Sequence, residues 1–151
     1  MTTLQLPPYD AKVTERDGES HIWDDLRRRY VALTPEEWVR QHFVHYLLEH
    51  RGYPVGLLAN EVSIRQGRLT RRCDTILYEA TLPPRPRMII EYKAPDIRIS
   101  QQTFDQIYRY NLVLRADYLV VSNGLAHYCC HIDYANNRYT FLPQVPIYQQ
   151  L

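Results

Sequence analysis

Three ionisable residues, Asp74, Glu91 and Lys93, have types and spacing that suit metal-assisted chemistry. Glu91 and Lys93 are two residues apart, so on a β-strand their side chains point to the same face of the sheet. Asp74 falls on the preceding predicted strand and can lie beside them. Two neighbouring carboxylates on an apolar sheet repel each other and lose hydration, which is costly unless a cation joins them. Because oxygen ligands favour Mg²⁺ or Mn²⁺, we expect a metal held by Asp74, Glu91 and the Tyr92 backbone carbonyl.

Lys93 adds a second element to this chemistry. Lys12 and Lys93 are the only lysines among 18 basic residues, and the others are arginines. A lysine ammonium beside a metal could orient or help deprotonate a water, or stabilise charge on a pentacovalent phosphorus transition state. The reaction class that these groups suit is phosphodiester hydrolysis. The alternative is that Glu91 and Lys93 only pair with each other on a solvated face.

The elements that must position these residues follow a regular order. Thr34-Pro35-Glu36-Glu37 predicts a helix start and Gly52 with Pro54 predicts its end. Three strand-like runs follow, then a second helix, a buried strand, an Asn123-Gly124 turn and two more strands. Their predicted ranges are 60–65, 71–78, 88–93, 100–114, 117–122, 126–132 and 138–142. The predicted fold class is α/β, with an α-β-β-β-α-β core, a mixed sheet flanked by helices and extra C-terminal strands.

Length and composition indicate one ordinary globular domain. The chain has 151 residues, of which 45% are hydrophobic and 23% charged. The net charge of +1 excludes a broadly basic coating but leaves room for a local basic patch. Residues 1–21 are polar and are interpreted as a leader or arm, and residues 22–151 as the single domain. Because no apolar run approaches about 20 residues and no signal pattern opens the chain, we expect a cytoplasmic protein without a membrane segment.

The cysteines and nearby histidines offer a second candidate metal site. Cys73, Cys129 and Cys130 are too few for a disulfide framework. On a strand, His127, Cys129 and His131 would share one face and could bind a metal. No CxxC motif or second ligand pair accompanies them, and free cysteine is a common core residue, so burial in the core is the alternative.

The motifs together resemble the PD-(D/E)XK nuclease superfamily. Asp74 followed by Glu91-Tyr92-Lys93, on this order of elements, is similar to the D…ExK arrangement of those enzymes. More closely, the chain resembles the N-terminal nuclease domain of type I restriction enzyme R subunits, in a small stand-alone form. The matching stretches are residues 33–40, 52–54, 72–74, 91–95, 104–111 and 122–124. The resemblance implies a restriction-endonuclease-like fold and a Mg²⁺-dependent endodeoxyribonuclease with Asp74, Glu91 and Lys93 as its catalytic residues.

The resemblance also implies supporting roles. Gln106 and Tyr110 match the QxxxY motif of such nucleases, and their spacing puts both on one helical face. Glu37 matches the acidic position of the first helix, where it could reach the metal directly or through water. A capping box with Thr34 is the equal alternative for Glu37. Arginine suits phosphate contact, and the residues expected to contact nucleic acid are Arg40, Arg71, Arg72 and Arg109.

Partners and alternative functions follow from the same resemblance. The expected partners are DNA and proteins of a restriction system, and two copies of the chain could act together because cutting both strands of a duplex usually takes two sites. Restriction subunits continue into an ATP-driven translocase, whereas this chain stops at Leu151 and has no GxxxxGK[ST] loop, so we expect no ATP use. The alternative function is a non-cleaving nucleic-acid-binding or assembly module that retains the fold.

Overall fold

A computed structural model describes all residues, 1–151, and shows nine strands and two α-helices. The strands are β1 Val13–Arg16, β2 Glu19–Asp24, β3 Arg29–Ala32, β4 Leu58–Gln66, β5 Leu69–Glu79, β6 Arg85–Tyr92, β7 Tyr118–Ser122, β8 His127–Asp133 and β9 Arg138–Leu142. The helices are α1 Pro35–His50 and α2 Gln101–Asn111. None of the helices is both long enough and apolar enough to cross a membrane.

Six strands form one mixed sheet in the order β4-β5-β6-β7-β8-β9. All neighbours are antiparallel except β6 and β7, which are parallel. A parallel pair cannot be joined by a tight turn, and α2 supplies the crossover between these two strands. The predicted α-β-β-β-α-β core with a mixed sheet and extra C-terminal strands is therefore confirmed.

Each face of the sheet carries one hydrophobic core. The core on the α1 face includes Val39, Phe43 and Leu47 of α1 with Leu77, Met88, Ile90 and Val120 of the strands. The core on the α2 face includes Phe104, Ile76, Ile89, Leu119 and Val121. Alternation along β6 sends Met88 and Ile90 to the first core and Ile89 to the second, so Glu91 points toward α2.

Helix α1 begins at its predicted cap, and α2 ends earlier than expected. The Thr34 hydroxyl accepts a 3.0 Å hydrogen bond from the Glu37 N–H at the start of α1. The predicted second helix, 100–114, changes to a 3₁₀ turn at Leu112–Leu114. Arg115 then adopts a left-handed conformation, with φ of 55°, which ends the helical segment.

An additional antiparallel sheet, formed by β1, β2 and β3, was not predicted. The proposed boundary after residue 21 falls inside β2, so the polar leader and the first part of the proposed domain share one sheet. Asp17 and Gly18 connect β1 to β2 with φ values of 52° and 79°, the conformation of a two-residue hairpin turn. An Asp-Gly pair is itself a hairpin signal, so the sequence does contain a local indication of this turn.

Asp24 joins this small sheet to the large one. Its side chain is almost fully buried and accepts hydrogen bonds from the Leu26 and Arg27 N–H groups at 2.7 and 3.1 Å. Its other oxygen accepts from the Arg27 guanidinium and, at 3.0 Å, from Asn60 on β4. Burial alone would raise the pKa of Asp24, but the hydrogen bonds from Asn60 and Arg27 hold it below its ordinary value.

We expect Asp24→Ala to lower the free energy of unfolding by about 3 kcal/mol, because it leaves the buried Asn60 amide and two backbone N–H groups without their acceptor and removes one of the two carboxylates that bind Arg27. Urea unfolding followed by circular dichroism measures the change. Asp10→Ala, at an exposed position, is the matched control and should stay within about 0.5 kcal/mol of the unaltered chain. Equal effects of the two substitutions would contradict the anchoring role of Asp24.

Candidate functional site

Asp74 and Glu91 lie beside each other where the β5–β6 ladder ends. The antiparallel register pairs Thr75 with Ile90, which sets Asp74 across from Glu91. Beyond that pair, the Tyr92 N–H donates a 2.8 Å hydrogen bond to Asp74 Oδ2. The Asp74 carboxylate therefore joins the two strands past their last backbone pair and is held in a fixed direction.

Four of the residues predicted from the sequence share one cavity. Glu91 and Lys93 of the β6 segment line a cavity of about 250 Å³ with Gln106 and Tyr110 of α2. Gln106 and Tyr110 are both exposed and lie one helical turn apart. Since Asp74 neighbours Glu91, the structure brings the predicted D, E, K, Q and Y residues to one place.

The electrostatics of Glu91 are unusual for a structural carboxylate. Burial, followed by the nearby charge of Asp74, raises the pKa of Glu91 from its ordinary 4.5 to about 9, although Lys93 and Arg40 oppose the shift. Glu91 Oε1 is buried and has no hydrogen-bond partner. A buried oxygen that nothing in the protein satisfies, beside a second carboxylate, suits a cation.

The donor set also fits the cation expected from the sequence. Tyr92 directs its N–H at Asp74, and the N–H and C=O of one strand residue point to the same edge, so the Tyr92 carbonyl faces Asp74 as well. The Tyr92 hydroxyl donates a 2.9 Å hydrogen bond to Thr75 Oγ1, which fixes that residue from its other end. Two carboxylates and a carbonyl are hard oxygen ligands of the kind that Mg²⁺ and Mn²⁺ take.

The Glu37 carboxylate is already bound by neighbouring side chains. Its carboxylate accepts a 2.8 Å hydrogen bond from Arg27 and a 2.9 Å bond from Gln41, and it forms a 3.0 Å ion pair with Arg40. Its own N–H makes the cap with Thr34. The expected reach of Glu37 toward a metal is thus corrected, since its oxygens are already bound to neighbouring cations and an amide.

Glu36 of α1 is half-buried and lies within range of the charges of Asp74 and Lys93. Burial and the charge of Asp74 raise the pKa of Glu36, while Arg40 and Lys93 act in the opposite direction. The sequence motif does not single out Glu36, because adjacent helical residues point about 100° apart and the motif does not specify which of them faces the sheet. Which of the two glutamates faces the sheet depends on how α1 lies across it.

Arg40 was expected to contact nucleic acid, but it is buried and binds other groups of the protein. Its side chain is 4% exposed and forms 2.5 Å hydrogen bonds with the Asp74 carbonyl and with Glu61 Oε1. With Glu37 as a third partner, its guanidinium is occupied inside the protein. The assignment of Arg40 to nucleic-acid contact is therefore corrected.

The other three arginines remain at the surface near the site. Arg71 lies over the Tyr110 ring, 4.4 Å from its centroid, and donates a 3.0 Å hydrogen bond to the Tyr110 carbonyl. Arg72 has 74% of its side chain exposed and pairs with Glu61. Arg109 is exposed in the last turn of α2. Their contact with nucleic acid stays a prediction.

His127, Cys129 and His131 occur on β8 in different surroundings. The His127 ring lies within hydrogen-bond distance of Ser122 Oγ and the Gln5 carbonyl, at 2.7 and 2.8 Å. Cys129 is in the core on the α1 face, and burial raises the pKa of its thiol to about 12. His131 is exposed, edge-on to the Tyr118 ring. No group of three or more His, Cys, Asp or Glu side chains in the structure is placed to hold a metal.

Comparison with known proteins agrees with this fold. A model of the family described as Type I restriction enzyme R protein N terminus (HSDR_N) matches residues 35–146. Among solved structures, a fragment described as the HsdR subunit of a type I restriction enzyme from Vibrio vulnificus YJ016 matches with a TM-score of 0.50 and 19% identity. The match covers 76% of this chain and 24% of that one, and at such identity it supports the fold alone. No curated protein matches the chain.

We expect Glu91→Gln to raise the free energy of unfolding at pH 7 by about 3 kcal/mol, because pH 7 is about 2.5 units above the ordinary pKa of 4.5 and each pKa unit is worth about 1.4 kcal/mol. A carboxyl whose folded pKa is raised contributes its full stability below the unfolded pKa and loses it as the pH rises toward the folded value. The gain should therefore vanish near pH 4 and grow between pH 5 and pH 9. Urea unfolding across this range tests it, and a gain that does not depend on pH would contradict the assignment to Glu91.

Proposed function

The chain belongs to the family of type I restriction enzyme R protein N-terminal domains, and from that membership we propose that it is a metal-dependent nuclease domain of PD-(D/E)XK type that hydrolyses DNA phosphodiester bonds. The observation that carries the proposal is the unsatisfied buried oxygen of Glu91 beside Asp74. A stable fold gains nothing from such a pair, whereas a site that takes up Mg²⁺ or Mn²⁺ requires it.

The residues that would hold the metal are Asp74, Glu91 and the carbonyl of Tyr92. A bound divalent cation supplies Lewis acidity, which lowers the pKa of a bound water and neutralises phosphate oxygens. The chain fixes this donor set beforehand, because the Tyr92 N–H and the Arg40 guanidinium bind the side chain and the carbonyl of Asp74. Such prior positioning removes the cost of reorganisation at the moment of reaction.

Lys93 acts on the reacting phosphate in this proposal. It lines the cavity together with Glu91, where its ammonium can donate a hydrogen bond to a phosphate oxygen or to the oxygen of an attacking water. Gln106 and Tyr110 face it from α2 and would position the strand, as their place in the cavity allows. Glu36, near Asp74, replaces Glu37 as the acidic residue of α1 that can accept a hydrogen bond from a water in the site.

Nucleic acid would reach the site along a second, open cavity of about 820 Å³. Its lining includes Arg29 of β3, Glu36 and Arg40 of α1, Arg72 of β5 and Ala94 after β6. Exposed guanidinium groups such as those of Arg29 and Arg72 suit phosphate contact. The lining of this cavity extends from the three-stranded sheet to Ala94, the residue that follows Lys93 in the chain.

The proposal extends to partners. The chain spans 24% of the HsdR fragment that it matches, so the partners of a whole R subunit are proposals for this chain. We propose DNA and proteins of a restriction system as partners, with two copies acting together where both strands of a duplex are cut.

We expect the purified protein to nick or linearise plasmid DNA in Mg²⁺ or Mn²⁺, and Lys93→Ala to lower the rate at least about 100-fold through loss of the positioned ammonium. Lys12→Ala is the matched control, since Lys12 is the only other lysine and should leave the rate unchanged. Gel electrophoresis of time courses, with EDTA as the metal-free arm, measures both.

Equal rates of cleavage by the unaltered protein and Lys93→Ala would show that the activity does not come from this site. Metal-independent binding of the plasmid, with no cleavage by any form, would favour the non-cleaving module over the nuclease. Fluorescence anisotropy with a labelled duplex distinguishes that outcome from a protein that does not bind DNA.

A further inference from the structure

Glu61 has a backbone conformation that is rare inside a strand. It lies within β4, where its neighbours Asn60 and Val62 pair with Thr75 and Cys73 of β5, yet its φ is 54°. A non-glycine residue in the left-handed region is strained and persists only where surrounding interactions hold it. The register puts this strained residue directly across from Asp74.

The Glu61 carboxylate binds two arginines with separate oxygens. Oε1 accepts a 2.5 Å hydrogen bond from Arg40, and Oε2 accepts bonds of 2.5 and 2.8 Å from Arg72. Arg40 in turn donates a 2.5 Å hydrogen bond to the Asp74 carbonyl. Glu61 is therefore two hydrogen bonds from the backbone of Asp74, and the strained turn of the chain is what brings its side chain to Arg40.

Charge balance alone does not account for this arrangement. Arg40 already has Glu37 as an ion-pair partner, so its charge is compensated without Glu61. The pair with Arg72 is largely exposed on the arginine side, where ion pairs contribute little stability. What Glu61 adds is direction, because it binds Nη2 of Arg40 while Glu37 pairs with Nε and Nη1 binds the Asp74 carbonyl, so each nitrogen has its own partner.

We propose that Glu61 is a positioning residue, which acts through Arg40 to hold Asp74 against the Tyr92 N–H and beside Glu91. The inference rests on the proposed function, in which Asp74 binds the metal. Outer residues that orient a metal ligand typically change metal affinity or activity by about 10–100-fold when they are replaced.

Glu61→Gly tests the proposal because glycine adopts positive φ without strain and lacks the carboxylate. Glu61→Gln is the second variant, since its amide keeps the length and one acceptor oxygen. Glu79→Ala is the matched control: Glu79 lies at the other end of β5 and also binds two arginines, Arg85 and Arg87. The readouts are Mn²⁺ affinity by calorimetry, hydrogen exchange of the Tyr92 amide by NMR, the thermal midpoint, and kcat and KM for DNA cleavage.

We expect Glu61→Gly to weaken Mn²⁺ binding about tenfold, to speed Tyr92 amide exchange about tenfold and to lower kcat more than it raises KM. Glu61→Gln should lie between Glu61→Gly and the unaltered protein, and Glu79→Ala should change none of the three. The thermal midpoint of Glu61→Gly should not fall below that of Glu79→Ala, because the glycine relieves the strain.

Unchanged Mn²⁺ affinity and Tyr92 exchange in Glu61→Gly would overturn the positioning role, since the carboxylate would then be dispensable. The positioning role would also be overturned if the losses of Mn²⁺ affinity and of Tyr92 amide protection were proportional to the fall in thermal midpoint across all three variants. Such losses would reflect general destabilisation. If the unaltered protein binds no Mn²⁺, the proposed metal site is wrong. The exchange rate of the Tyr92 amide then decides by itself whether Glu61 holds Asp74.

Discussion

A closed ring of buried polar contacts connects the small sheet, α1 and the strands of the site. One half runs from Asp24 through Asn60 and Thr75 to the hydroxyl of Tyr92, with hydrogen bonds of 3.0, 2.6 and 2.9 Å. The Tyr92 N–H then binds Asp74 at 2.8 Å. Each member is buried or half-buried, so breaking any contact would leave a polar group without water to replace its partner.

The other half of the ring returns along α1. Asp24 binds Arg27, Arg27 binds Glu37, Glu37 pairs with Arg40, and Arg40 donates to the Asp74 carbonyl. The charges alternate along this path, which compensates the burial of each one. Because the ring closes at Asp74, both the backbone and the side chain of that residue are fixed by contacts that begin in the three-stranded sheet. The small sheet is thus part of the support of the candidate site.

The parts of the fold that the sequence predicted depend on local signals. Thr34 marks the start of α1 through a cap that involves only neighbouring residues, and Glu91 and Lys93 share a face because strand alternation is local. The three-stranded sheet was missed because its strands are short and only Ile22 and Asp24 of β2 are fully buried, so it has little hydrophobic pattern. The choice between Glu36 and Glu37 depends on how α1 packs over the sheet, and a single sequence does not specify that packing.

The ring and Glu91 differ in whether their buried polar groups have partners, and the sequence motif does not contain this difference. Along the α1 half of the ring each buried charge has a partner of opposite sign, and the strained residue Glu61 adds a further one to Arg40. Glu91 Oε1 is the only carboxylate oxygen among the buried side-chain atoms that have no hydrogen-bond partner. A protein that compensates its other buried carboxylates and leaves this one open loses stability at neutral pH, because the folded state raises the pKa of Glu91 to about 9. Such a loss is retained where a bound group restores it, which is why the unpaired oxygen of Glu91 supports the proposed metal site.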